Sequence, residues 1–333
     1  MNFYAPSNIK SVTLTGLRYG AIIFIQREFK KYVYRKEGLA MKTLVIGCTG
    51  TVGSMVMKKL AAQGVSVRCM SRSYEKLRQL PSGVEGHVAD LDNRGTLAAA
   101  FSGVDSVFLL VPVSPRETTQ GLAAVEAAKA ARVKKIVYLS VSMPEGSTHI
   151  PHFGSKIPVE YAIKESGIAF TILRPNNFFQ NDLALKNMIM QYGLYLTPLG
   201  KTGLNRVDVR DIAECAVNAL IKRDFEGQTY AIHGLDTLTG NEIARIYSQY
   251  AGRDVRYGGN DLDVWVQRVK NIMPEWKIRD YRVMYRFYQD QGMIASAADL
   301  EKQQILLGHK PRRFEDFVKE VAGEWRKELA KAA

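Results

Sequence analysis

The sequence predicts an α/β fold with a doubly wound parallel sheet and a smaller C-terminal α/β part. Three observations predict it: an apolar strand that ends in spaced glycines at 43–53, a regular alternation of strands and helices from Met41 onward, and the weakening of that alternation after about residue 180. Apolar strands separated by helices form parallel sheets that are covered on both faces. Right-handed crossovers between successive strands then give the doubly wound arrangement.

The hydrophobic periodicity sets the expected elements. Strands are expected at 43–46, 65–70, 86–89, 106–111, 135–140 and 169–173, with helices near 52–63, 74–79, 93–101, 118–131 and 155–166. Further along, a helix is expected at 212–221, a strand at 229–233 and a helix at 243–250, which Thr239 and Glu242 begin as a capping box. Residues 254–333 are expected to be mostly helical.

Three regions follow from these patterns: a basic extension at 1–40, a dinucleotide-binding domain at 41–234 and a smaller substrate or lid region at 235–333. The extension carries seven Lys/Arg and two Glu and shows no strand–helix alternation. Three interpretations of it stay open: an over-extended start with Met41 as the initiator, a basic targeting segment, or a short amphipathic arm. We favour the first and expect 1–40 to lie outside the mature fold.

The composition is that of a globular protein with a net charge of +13. No helix-turn-helix, zinc-finger or aromatic RNA-binding pattern accompanies this charge, so we expect no nucleic-acid partner and a basic surface that suits a phosphate-bearing ligand. No apolar run reaches the roughly 18 residues of a membrane span. Three widely spaced cysteines form neither a metal-ligand pattern nor a disulfide framework, so we expect a cytoplasmic protein without a bound metal.

The glycines at 47, 50 and 53 are typical of a dinucleotide-binding turn, the Rossmann fingerprint. The first allows a sharp turn, the second lets the backbone approach a pyrophosphate, and the third lets the helix lie close to the strand. Cys48, within the turn, is either a redox-sensitive thiol or a small residue that fills a crowded space. The predicted cofactor-binding residues of this turn are Gly47, Thr49, Gly50, Thr51, Val52 and Gly53.

The second strand ends at Ser71 and Arg72, where an NAD enzyme usually has an acidic residue for the ribose 2′-hydroxyl. An arginine there pairs with a 2′-phosphate, so the sequence favours NADP(H) over NAD(H). The alternative is an arginine that only faces solvent.

The third and fourth strands end at further candidate cofactor contacts. Asp90 and Leu91 are expected against the adenine, whereas Asp92 either shares that role or caps the next helix. Val111 and Pro112 are expected to wall the ribose with their backbone.

After the fifth strand come Ser140 and Ser142, then His152 and Lys156 four residues apart, and Glu160 one helical turn on. With the glycine turn, Arg72, Asp90-Leu91 and the segments 166–178, 207–213 and 308–317, these residues resemble the short-chain dehydrogenase/reductase superfamily, and within it the atypical NmrA-like branch. The resemblance covers 41 to about 320. In that superfamily a Ser, a Tyr and a Lys act together; here His152 stands where the Tyr is expected.

The resemblance implies that Lys156 binds the nicotinamide ribose and that Ser140, or Ser142, is a polar group of the pocket. It leaves His152 as either the proton donor or a helix-start residue, and Glu160 as a helix-face residue paired with Lys156 or Lys164. Asn176 or Phe178 is expected beside the nicotinamide. Aromatic residues of the C-terminal region form either a flat apolar pocket or core: Tyr257, Trp265, Trp276, Tyr281, Tyr285, Phe287 and Tyr288.

The predicted function is an NADPH-dependent oxidoreductase that reduces a small apolar acceptor such as a quinone or a conjugated carbonyl. Lys156, His152 and Ser140 are its predicted catalytic residues. A quinone suits the missing Tyr, because a hydroquinone dianion needs little acid assistance. The alternative is an NADP(H)-binding redox sensor without turnover that regulates a protein partner. A monomer or a homodimer is expected.

Overall fold

The computed structural model describes residues 41–332 and contains the predicted parallel sheet. Its seven strands are β1 Lys42–Ile46, β2 Ser66–Ser71, β3 Glu85–Val88, β4 Ser106–Leu109, β5 Lys135–Leu139, β6 Ala169–Pro175 and β8 Gln228–Ile232. They follow the order β3-β2-β1-β4-β5-β6-β8, and every neighbouring pair is parallel. This is the order of a doubly wound dinucleotide-binding sheet, extended by one strand. A separate parallel pair is formed by β7 Leu194–Tyr195 and β9 Arg256–Tyr257.

The helices alternate with the strands up to β6 and dominate the chain after β8. They are α1 Thr51–Ala62, α2 Tyr74–Leu77, α3 Arg94–Phe101, α4 Glu117–Ala130, α5 Pro151–Gly154, α6 Ile157–Lys164, α7 Lys186–Tyr192, α8 Val209–Ile221, α9 Gly240–Tyr250, α10 Leu262–Val269, α11 Glu275–Gln291, α12 Ala297–Leu307 and α13 Phe314–Ala332. Short 3₁₀ turns lie at Ser147–His149 and Phe179–Leu185. Among the described residues, no helix is long and apolar enough to cross a membrane.

The two faces of the sheet have separate cores, as a doubly wound fold requires. On β1, Val45 belongs to the core under α1, α8 and α12, whereas Leu44 and Ile46 belong to the core under α3, α4 and α6. Successive side chains of a strand point to opposite faces, so an apolar strand supplies both cores at once.

A third core belongs to the C-terminal helices and to the segment after β6. At its centre Arg206 donates two hydrogen bonds to Asp182, at 2.8 and 2.9 Å, and both side chains are fully buried. The hydroxyls of Tyr195 and Tyr247 also donate to Asp182. The predicted capping box of Thr239 and Glu242 begins α9. The domain boundary after residue 234 stays a prediction.

Several predicted boundaries differ from the structure by one to three residues, and two of these differences have an identifiable cause. β4 ends at Leu109 rather than at residue 111, three residues before Pro112, which has no backbone N–H with which to continue the strand pairing. The helix expected at 155–166 begins at Ile157, after a break that separates it from α5. Pro158, the second residue of α6, cannot donate to the carbonyl of Gly154 four residues earlier, and its ring crowds that carbonyl.

Candidate active site

The glycine turn, residues 47–53, joins β1 to α1 at the carboxyl edge of the sheet. Gly47 has a φ of +80°, a conformation that other residues rarely adopt. A Cβ on Gly53 would lie 2.2 Å from the carbonyl oxygen of Gly47, so the close approach of the helix to the turn requires glycine there. Gly47 and Gly53 therefore have the local roles that the sequence predicts.

Gly50 has a different reason to be glycine. Its φ of −93° suits any residue, and a Cβ there would meet protein no closer than 3.4 Å. Thr49, Gly50 and Thr51 are exposed, and Val52 is buried under the turn. The first turn of α1 leaves N–H groups without partners in the helix. This open, N–H-lined surface fits the pyrophosphate of a dinucleotide, which a Cβ would displace.

The carboxyl ends of β2 and β3 form the next part of the edge. Ser71 accepts a hydrogen bond from the backbone N–H of Ser73 at 3.2 Å, and Arg72 is exposed beside it. Asp90 accepts from the N–H of Asp92 at 3.0 Å, while Leu91 is buried. The exposed Arg72 side chain can therefore reach a ligand that lies over this edge.

Asp92 does not cap the following helix, contrary to one of the two alternatives. Asn93 is the cap of α3 and accepts from the N–H of Gly95 at 3.1 Å. Asp92 instead forms an ion pair with Arg116, just before α4, at 3.1 Å. It also accepts a hydrogen bond from Gln120, within α4, at 2.9 Å. Val111 is buried and Pro112 is exposed just beyond β4, on the same edge.

Lys156 is buried rather than exposed on a helix, and it forms an ion pair with Glu117 at the start of α4. The other carboxylate oxygen of Glu117 accepts from the hydroxyl of Ser155 at 2.9 Å. The ammonium also lies 5.9 Å from the centre of the Tyr138 ring. An ammonium has three donors, so Lys156 retains N–H groups for a ligand hydroxyl.

Ser140 follows β5 and donates to Glu160 at 2.6 Å. Arg174 binds both carboxylate oxygens of Glu160, at 3.0 and 2.6 Å. The expectation that Glu160 pairs with Lys156 or Lys164 is therefore wrong: the side chain turns toward the sheet, where β6 supplies a bidentate arginine. Ser142, further along the same segment, is also buried.

His152 lies in α5 and binds a residue of the C-terminal region. Its Nδ1 lies 2.7 Å from Oδ1 of Asp280, in the first half of α11. The ring packs edge-on against Phe153, with 4.7 Å between centroids, and 5.7 Å from the ring of Tyr281. His152 is thus held by α11, and it is separated from Lys156 by the helix break.

Asn176, at the end of β6, has its amide occupied within the protein. Its Nδ2 donates to His233 at 3.1 Å and to the carbonyl of Met293 at 2.9 Å, and its Oδ1 accepts from the N–H of Asn177. Burial lowers the pKa of His233 to about 4, so the ring is neutral near pH 7 and can accept this hydrogen bond.

Most of the seven C-terminal aromatic residues pack in the core and do not form a flat apolar pocket. Trp265, Tyr285, Phe287 and Tyr288 are buried, whereas Trp276 is exposed and the rest are half-buried. Tyr281 is the one of this set whose ring lies beside His152.

The C-terminal motif at 308–317 docks onto α8 through charges. Arg312 binds Asp211 and Glu214, and Glu214 also binds Lys59 and His309. Burial alone would raise the pKa of Glu214, but these cations lower it to about 2. One possible metal-ligand atom each of Asp211, Glu214 and His309 lies within 4.8 Å of the others. Cationic side chains already pair with both carboxylates, however. The cluster is an ion-pair network.

Sequence reasoning missed Glu117 and Asp280, which bind two of the three predicted catalytic residues, Lys156 and His152. Glu117 had a local signal, because it begins the helix that follows β4, a strand that ends at the ligand edge. Asp280 lies within an amphipathic helix 128 residues from His152 and had no local signal.

A parallel sheet in this order, with a glycine turn at its carboxyl edge, defines a Rossmann-type dinucleotide-binding fold. The chain belongs to the NmrA-like family, whose model matches residues 40–318. An NAD(P)H azoreductase of Xenophilus azovorans is 33% identical over 280 residues, which are 83% of this chain and 96% of that protein. Quinone oxidoreductase 2 of Escherichia coli is 25% identical over 217 residues, 64% of this chain and 76% of that one.

Solved structures agree on the fold. A crystal structure of an NADPH-dependent quinone oxidoreductase from Escherichia coli, complexed with NADPH, matches with a TM-score of 0.75 and 22% identity over 84% of this chain and 99% of that one. The NAD(P)H azoreductase and the quinone oxidoreductase together support an NAD(P)H-dependent oxidoreductase class for this chain.

Proposed function

We propose that this protein is an NADPH-dependent reductase of a small apolar acceptor such as a quinone. The observation that carries the proposal is the buried Lys156–Glu117 pair at the same sheet edge as the glycine turn. A buried lysine that keeps free N–H donors beside a dinucleotide-binding turn suits a ribose contact, and an ordinary surface lysine does not. The azoreductase at 33% identity supports the same chemistry and adds azo compounds as candidate acceptors.

The residues have distinct parts in this reaction. NADPH supplies a hydride from its nicotinamide when it is bound. The glycine turn binds the pyrophosphate with backbone N–H groups, and Lys156 orients the ribose while Glu117 keeps the ammonium in place. Ser140 is oriented by Glu160, and Nε2 of His152 supplies the proton for acceptors that need one.

The preference for NADPH rests on Arg72, which is exposed at the end of β2 where a 2′-phosphate is expected. Arg72→Asp should reverse the ratio of NADPH to NADH affinity, because it replaces a phosphate-binding cation with an acceptor for a ribose hydroxyl. The dissociation constants of both cofactors, measured by fluorescence quenching, test this. An unchanged ratio contradicts the assignment.

The activity is tested by following NADPH oxidation with a panel of quinones and azo dyes. Lys156→Ala should abolish most turnover, whereas Lys164→Ala, an exposed lysine on α6, should not. Turnover that does not depend on Lys156 contradicts the proposed role of this residue.

The sensor remains the second candidate, since His152 stands where the superfamily has a Tyr. NADPH binding without turnover of any acceptor would favour it over the reductase.

A further inference from the structure

We propose that Asp280 is a positioning residue that makes His152 the proton donor for acceptors whose reduced form is basic, such as conjugated carbonyl compounds. This inference rests on the proposed reductase function and names a substrate class and a residue for the same site. It follows from the hydrogen bond between α5 and α11, from the orientation of the imidazole, and from the chemistry of the acceptor.

The contact itself is short and sheltered. Nδ1 of His152 lies 2.7 Å from Oδ1 of Asp280, and the side chains are 10% and 6% exposed. The backbone N–H of His152 also donates to the same oxygen, at 3.4 Å. Two donors from one residue fix the carboxylate against the start of α5.

The hydrogen bond decides which ring nitrogen carries the proton. An ionised carboxylate only accepts hydrogen bonds, so Nδ1 must be protonated in this pair. In a neutral imidazole the other nitrogen, Nε2, then has the lone pair, and in the imidazolium it has the transferable proton. Within residues 41–332, no protein group forms a hydrogen bond with Nε2 of His152. The dyad thus leaves one nitrogen available, as an orienting carboxylate does in other histidine sites.

The neighbouring aromatic side chains hold the ring and do not compete as acids. Phe153 packs edge-on against the imidazole, and Tyr281 lies 5.7 Å away between centroids. Burial, together with the negative charges of Asp280 and Glu117, raises the pKa of the Tyr281 phenol. A phenol with a raised pKa is a weaker acid, so Tyr281 is a poorer proton donor than an ordinary tyrosine.

The chemical step separates acceptors by their need for a proton. With a conjugated enone, the hydride forms a C–H bond at the β-carbon, and the π electrons of the C=C bond move toward the carbonyl to give an enolate. The Nε2 proton of the His152 imidazolium then goes to the enolate. NADPH loses two electrons and the enone gains them, and the imidazole regains its proton from water. A quinone gives a far less basic hydroquinone anion, so it depends less on this proton.

The kinetic test compares an enone with a para-quinone in the wild type and in Asp280→Asn. We expect kcat for the enone to fall on the order of 10²-fold with KM little changed, because a general acid contributes about that much. The quinone kcat should change far less. Asp290→Asn, an exposed position on the same helix, is the matched control.

Equal losses of kcat for the enone and the quinone in Asp280→Asn would overturn the proposal, because a packing defect would slow both reactions alike. Loss of enone turnover in Tyr281→Phe with normal turnover in Asp280→Asn would assign the proton to the phenol and also overturn it.

A second measurement does not depend on turnover and reads the wild-type protein directly. In wild-type protein labelled with ¹⁵N-histidine, long-range ¹H–¹⁵N spectra should show the neutral His152 ring protonated at Nδ1, with His152→Gln identifying its signals. A proton at Nε2 in the neutral ring would overturn the inference even if the enzyme reduces every acceptor. Conversely, an Nδ1 proton in a protein that reduces none of the acceptors would contradict the proposed reductase function, while it would support the His152–Asp280 hydrogen bond.

Discussion

The two ends of the candidate site are built in opposite ways. The glycine turn comes from seven consecutive residues and acts through its backbone. The other end, which we call the carboxylate cluster, consists of Glu117, Glu160 and Asp280 with their partners Lys156, Ser140 and His152. The structure brings these together from four helices and a strand end.

This contrast indicates where substitutions should act. At the glycine positions of the turn the requirement is that no side chain is present, so adding a Cβ there should reduce stability or cofactor binding. In the carboxylate cluster each polar group is buried with a partner, so removed atoms should be harmful. The following variants separate the two cases, in order of decreasing effect.

Removing Glu117 should cost the most stability. Glu117→Leu leaves Lys156 as an unpaired charge in a buried site, which typically costs about 3–5 kcal/mol. The double variant Glu117→Leu/Lys156→Met should recover most of this loss, because both charges are then gone. Urea unfolding of the two variants measures the difference. A loss in the single variant as small as that of an exposed ion pair, under about 1 kcal/mol, would show that Lys156 escapes to solvent.

Acid should weaken the protein through His233. Its pKa is about 4 when folded and near 6.5 in the unfolded chain, so both states are neutral above that range. As the pH falls from about 6.5 to about 4, the unfolded state takes up the proton first, and stability should drop by about 3 kcal/mol.

The measurement is the free energy of unfolding of wild type and His233→Gln across this pH range. The wild type should lose more stability than the variant, although the variant starts lower because it disturbs the hydrogen bond from Asn176. Parallel pH curves for the two proteins would contradict the depressed pKa.

Gly53→Ala should destabilise the fold by about 1–3 kcal/mol, the usual range for overpacking. Its Cβ would lie 2.2 Å from a backbone oxygen, which cannot move aside as a flexible side chain does. Thermal unfolding measures this effect without any cofactor. A melting temperature equal to that of wild type would mean that α1 shifts freely.

Gly50→Ala is the matched control and should have the smallest effect on stability, within about 1 kcal/mol, since the Cβ has room. Its effect should appear in binding instead, as a loss of NADPH affinity of about tenfold or more, equivalent to about 1.4 kcal/mol. Titration calorimetry measures that loss. Unchanged affinity would count against a pyrophosphate above the turn.

The amino-acid sequence alone specifies the sheet, its helices and the glycine turn. Apolar periodicity and glycine spacing act within short segments, so the local pattern was enough to assign Gly47 and Gly53 their roles. Pro158 also acts locally, yet its effect on the helix at 155–166 was missed, because the local pattern of apolar residues continues across the break.

Which polar groups meet depends on the packing of distant segments. Lys156 and Glu117 are 39 residues apart, and His152 and Asp280 are 128 apart. No periodicity connects such positions, and a carboxylate on a helix looks the same in sequence whether it faces water or a buried base. Once these groups are buried, each of them needs its partner, because an unpaired charge or polar group inside the protein is costly. The patterns within short segments specify the fold, whereas the packing of α4 and α11 decides which carboxylates meet Lys156 and His152.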